Sequence, residues 1–233
     1  MELEKFCGEI KQVYGNNVKS IVLYGSAVSG DHSKKYSDIN VLIVLNQLGL
    51  RELRKISKAT NKWVKSGNPP PLIFTEDDIR TSTDVFPIEF LDIKESHRIL
   101  HGGDFFKDLK IDTKNLRLQC EHELRGKLIK LHESYILTEG KPQKVGELLI
   151  RSLSTFQIIF INVLRLMGLA APVQKRDATR MLAEKLNLDI SVFEDIGRVR
   201  ENPKEMNTVN TDTVMERYIG ELRKVIEHVD TMD

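Results

Sequence analysis

Cysteine is scarce in this chain: Cys7 and Cys120 are the only two in 233 residues, far apart and in helix-like surroundings. That excludes a disulfide framework and a cysteine-rich zinc cluster, and predicts two core thiols in a reducing compartment. Charge of one sign is missing too, with 35 basic residues set against 34 acidic ones. A formal net charge of +1 gives no strong signal for nucleic acid, whose binders show a basic excess or stripe. No long uninterrupted apolar run occurs. The most apolar stretch, residues 156–171, is broken by Gln157, Asn162 and Arg165 and reads as a buried helix, so no membrane span is expected. The first residues, Met-Glu-Leu-Glu-Lys, lack the basic and then apolar regions of a signal peptide, which predicts a cytoplasmic protein. What remains is 40% apolar and 30% charged residues, the mixture of a globular chain with room for more than one core.

The first half mixes periods of about 3.6 and 2. Leu3, Phe6, Cys7, Ile10 and Val13 mark one apolar face of a helix over 2–14. Residues 18–24 read as a buried strand, 25–36 as a polar loop, and 38–45 as a second strand. An amphipathic helix over 51–65 is stopped by Gly67-Asn68-Pro69-Pro70-Pro71, and 72–75 form a third strand. Asp84 is placed to cap a helix with Pro87 in its first turn, and 97–101 make a short strand ending at Gly102-Gly103.

After Asp112 the period is helical throughout. Helices are expected over 115–138, from Pro142 to Gly168, and over 177–186. Two more would start at the capping-box patterns Ser191-x-x-Glu194 and Thr213-x-x-Glu216, on either side of a polar connection over 201–212. The expected architecture is therefore a small α/β domain with a mixed sheet over residues 1–110, followed by an all-α helical bundle over 111–233.

The most informative segment is 23–45. Gly25-Ser26 closes one apolar run, ten mostly polar residues follow, and Ser37-Asp38-Ile39-Asn40 opens the next run. Alternation along a strand puts Asp38 and Asn40 on one side, the geometry of a two-residue metal clamp with one carboxylate replaced by an amide. This constellation resembles the signature of the polymerase-beta-like nucleotidyltransferases, and its Gly-Ser and Ser-Asp arrangement is similar to that of the minimal and aminoglycoside-type members. The resemblance has motif content over about the first 105 residues and is architectural beyond them.

The resemblance implies a nucleotidyltransferase fold closed on one side by the helical domain. It implies transfer of a nucleotide monophosphate from a nucleoside triphosphate to a small-molecule or protein hydroxyl, with Mg2+ or Mn2+ as cofactor. Gly25 would let the backbone approach a phosphate, and Ser26 would offer its N–H and hydroxyl. Lys34, Lys35 and Ser37 would lie near the triphosphate, and Asp38 and Asn40 would hold the metal. The acceptor is unknown, and a homodimer or a partner protein is compatible with the reading. Because magnesium favours anionic oxygen ligands, Asn40 also admits a degenerate relative that binds nucleotide or a partner without efficient chemistry.

The family's third acid has no counterpart in residues 71–75. Glu76, Asp77 and Asp78, or Glu89 and Asp92, are the substitutes to weigh against a helix first turn and ordinary ion pairs. Arg117 and His122 resemble the Arg-x4-6-His pattern of HEPN-type ribonucleases, with solvated helix residues as the alternative. Arg117, Arg125 and Lys127 could also meet an anionic ligand.

Overall fold

The computed structural model describes residues 1–29, 39–170, 172, 174–202 and 210–232, with Ser26 and Ser29 described for their backbone only. The chain divides into two compact units, Met1–Asp112 and Thr113–Asp233.

The first unit runs α1 (Leu3–Tyr14), β1 (Val18–Tyr24), α2 (Ser26–Ser29), β2 (Asn40–Leu45), α3 (Leu50–Lys65), β3 (Leu72–Thr75), α4 (Glu76–Thr81), α5 (Pro87–Glu95) and β4 (His97–Gly102). The sheet order is β3-β2-β1-β4, with β1 antiparallel to both neighbours and β2 parallel to β3. Alternation sorts the apolar side chains into two cores. Val41, Ile43 and Leu45 pack on the α1 and α3 side with Phe6 and Trp63, whose rings stack at 4.5 Å. Leu42 and Val44 pack on the opposite side with Val22, Ile79, Phe90 and Phe106. Trp63 Nε1 donates to the Pro69 carbonyl (2.9 Å), so the core of α3 also anchors the proline run that leads into β3.

Three details differ from the sequence reading. Residues 26–29 form one helical turn where a loop was expected, because the chain winds on directly from Gly25 and Val28 N–H donates back to the Gly25 carbonyl (2.9 Å). The second strand begins at Asn40. Asp84 does not cap α5, since a turn through Ser82–Phe86 intervenes and Pro87 opens the helix directly after Phe86.

The second unit contains α6 (Thr113–Ile136), α7 (Pro142–Leu166), α8 (Lys175–Leu186), α9 (Ile190–Glu201) and α10 (Thr211–Asp230). Helix α7 is long and apolar enough to cross a membrane by length and composition, but 56% of its most apolar window is buried among its neighbours. Phe156 and Phe160 from α7, Phe193 from α9 and Tyr218 from α10 meet edge to face at centroid distances near 6 Å and form the middle of that core. The caps of the last two helices fall earlier than the capping-box patterns suggest. Asp189 accepts from Ser191 N–H (3.1 Å) and Asn210 accepts from Thr213 N–H (3.2 Å), so Ser191 and Thr213 lie inside their helices.

Candidate active site

Gly25 ends β1 with φ at +78°, a left-handed conformation that glycine adopts without the penalty a side chain brings. Its N–H donates to the Ser96 carbonyl (3.1 Å), and Ser96 Oγ donates to the Gly25 carbonyl (3.4 Å). The turn is thereby tied to the C-terminal end of α5, where Ser96 N–H donates to the Asp92 carbonyl (3.0 Å).

Asn40 heads β2 directly across from Tyr24, the residue before the turn. A Cβ on Gly25 would lie 3.1 Å from Asn40 Nδ2, so the glycine turn and the amide close on each other at one end of the sheet. Ile39 N–H donates to Asn68 Oδ1 (3.2 Å), which holds the head of β2 against the loop after α3. Asn68 and Ser96 are buttresses that the sequence reading missed. Gly67-Asn68-Pro69 carried a turn signal, but nothing in the pattern around Ser96 marked it as a support for a turn 71 residues earlier.

His97, the next residue, pairs with Tyr24 on the other flank of β1. Its ring lies between two acceptors, with Nδ1 2.9 Å from the Ile93 carbonyl and Nε2 3.3 Å from Asp104 Oδ2. Burial pushes Asp104 upward, but the N–H groups of Phe106 and Lys107, with His97, outweigh it and hold the carboxyl below its usual range. Burial raises the Tyr24 phenol, so it is neutral in the ordinary pH range.

Gly25 and Asn40 are thus brought together, while Ser26 opens α2 beside them. Lys34, Lys35, Ser37 and Asp38 lie outside the described residues. Among the described residues no group of three or more His, Cys, Asp or Glu could hold a metal ion. Asn40 alone offers one neutral oxygen, which does not fit a dication without an anionic companion.

Glu76, Asp77 and Asp78 do not supply it. Because β3 runs parallel to β2, with Leu45 opposite Thr75, the acids that follow β3 emerge at the end of the sheet away from Asn40. Five residues of strand separate the two ends, about 17 Å. Glu76 pairs there with Lys19 (2.7 Å), Asp77 with Arg80 (2.7 Å), and Asp78 completes a capping box with Thr75. The helix-turn reading of these acids holds, and a catalytic one does not. Glu89 and Asp92 are each engaged in an interaction, so neither is free.

The ribonuclease pattern is not assembled either. Five residues along α6 turn Arg117 and His122 about 140° apart. Arg117 is committed to Glu121 (2.9 Å) and the Val229 carbonyl (3.3 Å), and His122 is exposed. Arg125 pairs with Glu121 and Asp230, and Lys127 with Glu123.

Residues 1–92 match the family model described as a nucleotidyltransferase domain. Among solved structures, the chain is similar to spectinomycin adenyltransferase AAD(9) from Enterococcus faecialis, solved with ATP and spectinomycin. The identity is 12%, the TM-score 0.54, and the match covers 93% of this chain and 99% of that one. At that identity the likeness speaks for the fold. No curated protein matches. A mixed sheet with the Gly25 turn set against the head of β2 lies within the residues that match the family model, so the first unit is similar to a nucleotidyltransferase domain.

Proposed function

We propose that the protein transfers a nucleotide monophosphate from a nucleoside triphosphate to a hydroxyl of a small molecule or of a protein. The observation that carries this reading is the meeting of the Gly25 turn with Asn40 at one end of the sheet, within the region that matches the family. A residue without a side chain lets backbone N–H groups approach phosphate oxygens closely, and the first N–H groups of a turn entering a helix point outward as donors. In this reading Gly25 and Ser26 receive the triphosphate, with Lys34, Lys35 and Ser37 adding charge and hydrogen bonds around it. Asp38 and Asn40 would hold Mg2+ or Mn2+, Asp38 providing the anionic companion that Asn40 needs. A divalent ion bound there supplies charge compensation for the oxygens of the transferring phosphoryl group. The adenyltransferase of similar fold was solved with ATP and an acceptor, which supports a nucleotide as one substrate.

A second reading has its own observation. The amide at position 40 and the placement of Glu76–Asp78 at the far end of the sheet favour a domain that binds triphosphate without efficient transfer.

One experiment separates them. The purified protein is incubated with each labelled triphosphate and magnesium or manganese, and both pyrophosphate release and label transfer to the protein are followed. Transfer is expected to fall by about two orders of magnitude or more in Asp38→Ala and to rise in Asn40→Asp, which restores the missing charge. Triphosphate binding without pyrophosphate release, in both the natural protein and Asn40→Asp, would establish the binding module. Absence of triphosphate binding in both proteins would overturn both readings.

A further inference from the structure

Within the second unit, α7, α8 and α9 border a cavity of about 370 Å3. Its walls include Leu153 of α7 and Phe193 and Ile196 of α9, all buried, so they present apolar surface to an occupant. Gln157 reaches this cavity from the middle of α7 and is only 8% exposed.

The hydrogen bonds around Gln157 determine which way its amide is turned. Thr179 Oγ1 donates to the Lys175 carbonyl (2.9 Å), as a hydroxyl with one hydrogen can do once. The contact from Gln157 (3.0 Å) must then bring a hydrogen to Thr179, so the group facing Thr179 is the NH2. Gln157 Oε1 is left as an acceptor, and no described residue donates to it. That oxygen is not among the fully buried polar atoms without a partner, so it stays accessible where Gln157 lines the cavity.

The rim adds charge. Lys175, Arg176 and Arg180 come from α8 and Arg200 from α9, against two carboxylates, Glu194 and Glu201. Arg180 pairs with Glu194 (3.2 Å) and Arg176 with Glu201 (3.5 Å). Among the described residues Lys175 and Arg200 form no ion pair, so the described lining of the opening carries two more positive than negative side chains. Lys175 is also the first residue of α8, where the backbone favours an anion.

We infer that this cavity binds a small amphipathic anion: an apolar or aromatic body, one N–H or O–H donor for Gln157 Oε1, and a carboxylate or phosphate for Lys175 and Arg200. Each requirement follows from a different part of the site, so the three can be removed one at a time. The inference is independent of whether the first unit transfers nucleotide.

The probes are 4-aminobenzoate, which has body, donor and anion; benzoate, which lacks the donor; and aniline, which lacks the anion. Binding to the full chain is measured by calorimetry, and backbone amide shifts are followed by NMR. The expected result is saturable binding of 4-aminobenzoate, with benzoate and aniline each weaker by about fivefold or more. Shifts are expected at Thr179 and Gly197. Lys175→Ala/Arg200→Ala changes two exposed side chains and so preserves the fold; it should weaken 4-aminobenzoate about fivefold or more while leaving aniline unchanged. The inference is overturned by a lack of saturable binding for all three probes, by equal affinities across the series, or by shifts that map away from Thr179 and Gly197.

Discussion

Gly102 and Gly103 stand side by side at the end of β4 and differ in what they permit. Gly102 has φ at +80°, and a Cβ there would lie 1.9 Å from the Lys19 carbonyl oxygen of β1. The neighbouring atoms are backbone, which cannot turn aside as a side chain can. Gly102→Ala should therefore cost about 2–4 kcal/mol, from the left-handed conformation plus displacement of one strand. Gly103→Ala meets only the Phe105 ring at 3.6 Å and should cost under about 1 kcal/mol. Urea denaturation of the two variants measures the difference, and equal losses would contradict it. In the sequence the two glycines read alike, as the end of a strand. The same holds for Gly25, whose place in a turn was legible but whose closeness to Asn40 depends on Tyr24 and Asn40 being partners across the sheet.

Helix α4 shows what sets the start of an element. Thr75 Oγ1 accepts from Asp78 N–H (3.1 Å), and Asp78 Oδ2 accepts from Thr75 N–H (2.8 Å). The Thr75 N–H, and then its hydroxyl, hold the Asp78 carboxyl below the usual range, with burial opposing weakly. A folded value below the unfolded one means that this stabilisation is fully present above about pH 4 and is lost as pH falls through the folded value. Asp78→Asn should accordingly destabilise the protein by about 0.5–1 kcal/mol at neutral pH, and the gap to the natural protein should shrink on acidification. Thermal melts of both proteins between neutral and acid pH test this, and a gap that stays constant would sink it. The cap patterns at Ser191 and Thr213 were legible as well, yet helices α9 and α10 start earlier. Asp189 is held by Arg217 (2.5 Å), and its N–H donates to Glu221 (3.1 Å), partners 28 and 32 residues away that no local pattern reveals.

Each of the two units has its own buried core, the sheet faces of the first and the aromatic cluster of the second. Residues 1–112 expressed alone should thus unfold in one cooperative urea transition and keep the far-UV signature of a mixed sheet and helices. A fragment without such a transition would refute the independence of that core. By itself the sequence determined the order of the four strands and the longer helices, the change of character near Asp112, the glycine turn and the amide at position 40, because these follow from side-chain periodicity and from what glycine and asparagine can do chemically. Only the tertiary structure decided which end of the sheet each acid occupies. Apolar alternation has the same period whichever way a strand runs, so the pairing of β3 parallel to β2 was needed to send Glu76, Asp77 and Asp78 away from Asn40. It also decided that Gln157, a polar break in an apolar run when read along the chain, borders a cavity whose rim is basic, since that depends on three helices converging from separate parts of the sequence.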